Sequence, residues 1–396
     1  MRRPSITGLY YLTHIDNVAS IAKMGILSHQ RIIDEGIQFT PIYDKEIVSN
    51  RQHIKTPEGK SLWNYANVFF QPRNPMLYRV VVEKSNNAIV VIGLLPTILN
   101  RPDIFITNGN AAHSKSEIIP IGQGRKKLLQ IVKATDKEWW AQEDGSKREI
   151  MAECLVPNGI QPIFIDAIYV ANQPTADKVK TILGGFDLPV IREPKFFFQS
   201  QLKSNITHNL SLVEGDLFFS RMQTLTISVN TVGIMGKGLA SRAKYQFPAV
   251  YVAYQDMCRN RKLRMGKPVV YTLESSLDQQ LADEGETLLN GHLETKFLLF
   301  PTKIHWRNPA ILTGIEQGLQ WLQMNYIKEG IDSLAIPALG CGLGRLDWAD
   351  VGPLMCRYLS TMNIPIQLYL PAEKKLSDEQ LSREYLLGGL AKNDLF

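Results

Sequence analysis

The sequence predicts two domains in succession: an α+β fold in the first half, then an α/β fold whose mixed, largely parallel sheet lies between helices. Three observations predict this. The chain has 396 residues, enough for two ordinary cores. Its first half mixes short β-branched runs and helical segments with long polar loops. Its second half alternates nearly continuous apolar strands with helical stretches, the pattern of a parallel sheet covered on both faces.

In chain order, GLYYL begins a first strand that delivers Thr13 and His14. DNVASIAKMGIL then reads as a helix capped by Asp16 and stopped by Gly25. Residues 78–83, 88–92 and 163–171 are β-branched and bounded by turn formers, so they predict strands. The stretches 43–77 and 107–126 read as long loops, a length more often functional than ornamental. Polar residues around a short aromatic cluster at 192–208 place the domain boundary there, giving domains 1–203 and 207–396. The second half predicts strands at 209–213, 225–230, 268–273, 296–301, 333–338 and 364–370. Helices are expected from 238, from 309 to about 328 (started by Asn308 and Pro309, ended by Gly330) and from 350.

Hydrophobic content of 44% and charged content of 21% are those of a globular protein. No apolar run approaches the roughly 20 residues of a membrane span, and MRRPSITGLYYL lacks the apolar core of a signal peptide. The four cysteines are scattered, which predicts a reduced, cytoplasmic protein with no metal. The net charge of +6 is uneven: residues 1–205 carry 25 Lys and Arg against 19 Asp and Glu, and the remainder 19 against 19. A mild basic surplus in the first half suits an anionic polymer.

Residues 228–247, SVNTVGIMGKGLASRAKYQF, read as an apolar strand, a glycine-rich turn and an amphipathic helix. The spacing is neither the nucleotide-hydrolase loop nor the dinucleotide fingerprint. A second glycine-rich turn, IPALGCGLGRLDW, follows the strand at 333–338. Two such turns outside the carboxyl ends of parallel strands make a diphosphate slot, because backbone N–H groups can approach phosphate oxygens there. In the first half, Glu153 is the sole charge in the apolar run IMAECLVP, a costly placement unless it has a task or a partner. Read alone, Glu153 is equally a solvent-facing strand residue, His14 a buried imidazole, Asp216 a turn cap and Lys303 a surface lysine.

With VEGDLF at 213–218, the two turns resemble the macrodomain family over most of 207–371. The phrases GIMGKGLASRAK and LLFPTKIHWRNP are most similar to its DarG branch, which also includes the human terminal-ADP-ribose hydrolase. The resemblance implies an ADP-ribosylglycohydrolase in which Asp216 accepts a hydrogen bond from adenine and Asn230 meets the distal ribose. Gly233, Gly236, Lys237 and Gly238 would hold the diphosphate with Gly340, Cys341, Gly342, Leu343 and Gly344. Lys303 would lie at the anomeric carbon. The human-type hydrolase has an aspartate where this chain has Gly344, so a Lys/Asp pair requires another acid, such as Asp347.

The stretches RQHIKTPEGKSLWNYANVFFQPRNPMLYRV, TNGNAAHSKSEI and REIMAECLVP resemble the DNA ADP-ribosyltransferase family DarT, in order, over most of 1–195. That resemblance implies NAD as ADP-ribose donor, held by Thr13, His14 and Asn17. Glu153 and Arg51 would be catalytic, and a base of single-stranded DNA, typically thymine, would be the acceptor. A carboxylate is what this chemistry needs, because breaking the nicotinamide–ribose bond leaves an oxocarbenium-like sugar. Arg51 is read as stabilising the anionic base or the NAD phosphates, since arginine is not deprotonated in proteins. Lys55, Lys60, Trp63, Tyr65, Arg73 and the triplet Arg125, Lys126 and Lys127 are candidate strand contacts.

The expectation is a fused toxin and antitoxin whose partners are single-stranded DNA, NAD and ADP-ribose. Contact between the two halves is possible, and no membrane is involved. The alternatives are a guanine-, RNA- or protein-directed transferase, or a module that only binds ADP-ribose. The motifs of RNA 2′-phosphotransfer to NAD are not found.

Overall fold

A computed structural model describes residues 8–43, 45–283, 288–371 and 374–388. The chain divides into two compact units: Met1–Phe197 with Asp278–Gly291, and Phe198–Leu277 with His292–Phe396. The sequence places the boundary within 192–208, with domains of 1–203 and 207–396, and Gln201–Asn205 is a strand of the second sheet. The change of unit therefore comes at residue 197/198, and a short segment from the second half returns to the first.

Among the described residues, the main sheet of the first unit holds eight strands: β1 Leu9–His14, β2 Tyr65–Phe69, β3 Ile89–Leu94, β4 Phe105–Thr107, β5 Ile118–Pro120, β6 Glu153–Pro157, β7 Ile165–Val170 and β8 Val190–Arg192; Ile26–Leu27 and Gly159–Ile160 pair apart from it. Their order is β8-β7-β3-β1-β2-β6-β4-β5. Only the β8–β7 pair is parallel; the other pairs are antiparallel. The register aligns Tyr10 of β1 with Phe69 of β2, and Phe69 with Glu153 of β6. Leu9, Val68, Val90, Ile92, Cys154 and Val156 join the apolar core with the helices Val18–Met24 and Gln173–Leu183.

The second unit holds β9 Gln201–Asn205, β10 Leu210–Glu214, β11 Thr224–Asn230, β12 Val269–Thr272, β13 Lys296–Lys303, β14 Leu334–Pro337 and β15 Ile366–Tyr369. The order is β9-β10-β15-β14-β11-β13-β12, with parallel pairing throughout the centre and antiparallel strands at both edges. This is the mixed, largely parallel sheet expected. Helices Leu312–Asn325 and Trp348–Leu359 pack on it through Ile315, Leu319, Trp348 and Met355.

Several local readings are corrected. Residues 78–83 are helical, within Pro75–Lys84. The valine run favours a strand, but Asn74 caps the Leu77 N–H at 3.0 Å and Pro75 presets the first turn. The helix then buries Leu77, Tyr78, Val80 and Val81, and at roughly 1.5–3 kcal/mol per large apolar side chain that packing overrides propensity. The expected loop at 43–77 contains the helix Lys45–His53 and strand β2, and that at 107–126 contains β5 and the start of the helix Ile121–Thr135. Asn17, not Asp16, occupies the cap position of Val18–Met24, while Gly25 ends it as expected. The later helices begin at Leu312 and at Trp348, the second capped by Asp347.

No helix among the described residues is long and apolar enough to cross a membrane. Because Asn74 is fully buried and also donates to the Gln71 carbonyl, Asn74→Ala is expected to cost about 1–2 kcal/mol. The loss should appear as reduced amide-exchange protection across 75–84.

Candidate active sites

Glu153 is 1% exposed at the start of β6. Two guanidinium nitrogens of Arg51 donate to its carboxylate, Nη2 to Oε2 at 2.6 Å and Nη1 to Oε1 at 3.3 Å. Asn67 Nδ2 donates to Oε2 at 3.1 Å, and the Ala111 N–H to Oε1 at 2.8 Å. The Glu153 N–H donates to the Thr107 hydroxyl, which donates to the Gly109 carbonyl. Desolvating a carboxylate costs several kcal/mol, and a bidentate arginine with two further donors offsets that cost.

Arg51 lies in the last turn of Lys45–His53, with its side chain 19% exposed. It therefore forms the outer wall of the buried acid. Beside it, burial pushes the Tyr43 phenol up while Arg51 draws it down, and Tyr11 is pushed up by burial and by Tyr43.

The structure thus joins Arg51 to Glu153, 102 positions apart in the chain. Thr13, His14 and Asn17 form a separate group at the far end of β1. Asn17 Nδ2 donates to the Thr13 hydroxyl and to the Thr40 carbonyl, and Asn17 Oδ1 accepts from the Thr40 N–H. Asn17 therefore ties the end of β1 to the loop that carries Thr40. His14 Nδ1 accepts from the Asp16 N–H at 3.3 Å.

The residues missed in the sequence are Asn67, Thr107, Ala111 and Tyr43. Asn67 and Phe69 lie two apart on β2, and only the register places Asn67 on the side of Glu153. Of the candidate strand contacts, Tyr65 is 3% exposed with its hydroxyl against Thr56, and Trp63 donates to the Val48 carbonyl and packs edge-on to His29. Tyr65 is a core residue, and Trp63 is half-buried with its indole N–H already bonded. Lys60 pairs with Glu58 and Lys127 with Glu117; the Arg125 side chain lies outside the described residues.

In the second unit a bulge after Val229 sets Asn230 opposite Lys303. The Asn230 amide is spent on its own turn: Nδ2 donates to the Ile234 carbonyl at 2.6 Å, and Oδ1 accepts from the Val232 N–H and the Tyr254 hydroxyl. The helix Gly238–Gln246 has no side-chain cap, so its first N–H groups suit an anion. A Cβ on Gly238 would lie 3.2 Å from Leu343 Cδ1, which puts Gly233, Gly236, Lys237 and Gly238 beside the second turn of Gly340, Cys341, Gly342, Leu343 and Gly344.

Lys303 joins the two turns. Its Nζ donates to the Leu343 carbonyl at 3.1 Å, and the next residue's carbonyl accepts from the Thr231 N–H and hydroxyl. Partial burial, and then Arg345, hold the Lys303 amine below the ordinary lysine value. Asp216 caps Phe218 and pairs with Arg242 at 2.6 Å, and that guanidinium lies over the Phe218 and Phe219 rings. Arg242 was not found in the sequence, where it is one basic residue among several on a helix.

A Cβ at Gly344 would lie 2.4 Å from the Gly340 carbonyl oxygen, so this turn admits no side chain there. Asp347 is engaged elsewhere. It caps the Trp348–Leu359 helix and pairs with Lys374, and the cap and then the lysine hold its carboxyl below the ordinary range.

The family model described as ssDNA thymidine ADP-ribosyltransferase, DarT, matches residues 10–198. A DNA ADP-ribosyl transferase–DNA ADP-ribosyl glycohydrolase fusion protein of Thermosipho africanus is 53% identical over 385 residues, covering 97% of this chain and 99% of that protein. The solved structure of Thermosipho africanus DarTG in complex with ADP-ribose superposes with a TM-score of 0.91 at 52% identity, covering 96% of this chain and 99% of that one. A DNA ADP-ribosyl glycohydrolase of Thermus aquaticus is 32% identical over 165 residues, 41% of this chain and 42% of that protein.

Two substitutions separate the roles in the second turn. Gly344→Asp should weaken ADP-ribose binding at least about tenfold, ~1.4 kcal/mol, by calorimetry. Asp347→Asn should leave the release of ADP-ribose from modified DNA within about twofold, far below the ~10²-fold loss expected of a catalytic acid.

Proposed function

Because the chain belongs to the family of DNA ADP-ribosyl transferase–DNA ADP-ribosyl glycohydrolase fusion proteins, we propose how its own residues divide the work of writing and erasing one mark. The first unit transfers ADP-ribose from NAD to thymidine in single-stranded DNA, and the second removes it. NAD is a substrate. The cytoplasm, where NAD and DNA meet, is the compartment this reading assigns.

In the writer, Glu153 accepts the 2′-hydroxyl of the nicotinamide ribose and faces the oxocarbenium-like carbon as neutral nicotinamide departs. The thymine ring nitrogen forms the new bond to that carbon and loses its proton to the Glu153 carboxylate. Arg51 keeps its charge throughout and stabilises the developing anionic base. His14, with Nδ1 engaged by the Asp16 N–H, offers Nε2 to a ribose hydroxyl, and Thr13 and Asn17 fix the backbone around it. The observation that carries the reading is the buried Glu153 carboxylate held bidentately by Arg51.

In the eraser, the N–H groups of the two glycine turns hold the diphosphate, and Asp216, fixed by Arg242, receives the adenine amino group. Asn230 shapes the first turn and acts on the ribose through it. The neutral Lys303 amine attacks the anomeric carbon, the thymine–sugar bond breaks, and the thymine nitrogen takes up the proton that the lysine nitrogen gives up; water then adds to the same carbon, releasing ADP-ribose and returning a proton to the lysine amine.

Full-length protein carrying Lys303→Ala, given NAD and single-stranded oligonucleotides of differing base content, should accumulate an adduct on thymine-containing strands alone. Wild-type protein should then remove it. An adduct on guanine, on RNA or on protein instead would overturn the thymidine reading.

Removal by wild type should accelerate as pH rises, because the neutral amine is the reactive form and its fraction grows through the lowered Lys303 value. Arg345→Ala relieves one cause of that lowering. It should move the rising limb to higher pH and slow the reaction at pH 7. A profile that stays in place would contradict the assignment of Lys303 as nucleophile.

A further inference from the structure

Between strands β12 and β13 the chain leaves the second unit at Leu277 and returns at His292. The segment between them, Asp278–Gly291, belongs to the transferase unit. Its described residues make polar contacts with groups that are otherwise buried there. The Tyr78 hydroxyl donates to Asp278 Oδ1 at 2.5 Å, and Tyr78 is 1% exposed. The Trp140 indole N–H donates to the Leu281 carbonyl at 2.9 Å, and Trp140 is also 1% exposed. Arg79 Nε donates to Asp283 Oδ1, Arg79 Nη2 to the Asp283 carbonyl, and the Asp283 N–H to the Pro75 carbonyl. Leu281, Ala282 and Leu288 are buried.

One of these anchors, Trp140, is linked along the chain to the writer's chemistry. Trp140 precedes a tight turn in which the Ala141 N–H donates to the Ser146 hydroxyl and the Lys147 N–H to the Ala141 carbonyl. Arg148, two residues after Ser146, donates to the Asn108 carbonyl and the Ser116 hydroxyl. That contact shapes the loop whose Ala111 N–H holds Glu153. The chain then runs straight into Glu153 at the head of β6. Without the segment the Trp140 indole N–H, the Tyr78 hydroxyl and the Arg79 guanidinium each lose a hydrogen-bond acceptor, Arg79 keeping Glu83, and losing a buried hydrogen bond is costly.

We infer that Asp278–Gly291 completes the transferase fold, so that the writer reaches its working structure only when the chain has been extended well into the eraser's half. A chain ending before residue 278 would carry Arg51 and Glu153 but lack the Leu281 carbonyl that anchors Trp140 and, through it, the segment leading to Glu153. The toxic activity is thereby tied, through folding, to synthesis of the sequence that counteracts it. The functional consequence rests on the transferase reading above; the folding claim does not.

The test uses the full chain in the Lys303→Ala background, with Leu281→Asp and the milder Tyr78→Phe. Amide exchange is followed over 75–84 and 140–153 in the writer and over 224–230 and 296–303 in the eraser, together with transfer to a thymine strand and binding of ADP-ribose. Leu281→Asp should lower protection in the two writer segments at least about tenfold and reduce transfer, with eraser protection and ADP-ribose affinity within about twofold. Tyr78→Phe should act in the same direction and less. Unchanged protection at 75–84 in both variants, or equal loss in both units, would overturn the inference. If the parent chain modifies no strand, the transferase reading falls, and the exchange data still decide the folding claim.

Discussion

Glu153 and Arg51 form the interaction on which the first unit depends. A carboxylate at 1% exposure demands compensation that no single neighbour supplies. Arg51 gives charge and two hydrogen bonds, Asn67 gives a side-chain donor, and Ala111 a backbone one. Each donor comes from a different part of the chain: a helix, strand β2 and the loop after β4. Sheet order, loop shape and the position of Lys45–His53 are therefore all coupled to one buried charge. Removing one partner of such a pair costs about 3–5 kcal/mol, because the other is left uncompensated. The same arrangement is suited to catalysis: donors fixed in advance around a carboxylate need no reorganisation when positive charge develops beside it.

The second unit solves a different problem with different means. Its ligand is an anion, and its tools are backbone N–H groups, a helix start and glycine turns that allow close approach. Here side chains mostly support the backbone. Asn230 and Tyr254 brace the first turn, and the packing of Gly344 against Gly340 fixes the second. Lys303 bridges the two through the Leu343 carbonyl, in surroundings where Arg345 adds like charge and the acid of the human-type hydrolase has no room. The proposed mechanism therefore places the hydrolysis on the lysine, without a paired aspartate in that turn.

Much of this was legible in the residues. A lone glutamate in an apolar strand, and two glycine turns after parallel strands, mark sites because each violates a local rule that only function or a partner excuses. What was not legible depended on register and on distance along the chain. The bidentate partner of Glu153 lies 102 positions away, and Asn67 becomes visible only when β2 is aligned with β6. The run of valines at 80–82 pointed to a strand, and the Asn74 cap with Pro75 decided for a helix. Trp63 and Tyr65 looked like stacking surfaces because aromatics serve equally in cores and on platforms. The return of 278–291 to the first unit leaves no local signal, since nothing in its composition says which core it joins.

The central claim is that Glu153, held by Arg51, stabilises the sugar cation rather than merely binding NAD. It is tested most directly by nicotinamide release from NAD in the presence of a thymine strand, using Lys303→Ala protein with and without Glu153→Gln. The amide keeps the size of the side chain and loses its charge. The account predicts that release falls at least about 10²-fold while NAD affinity changes by only a few-fold, the signature of an interaction made in the transition state. Release at the parent rate, or a loss explained wholly by weaker NAD binding, would contradict it.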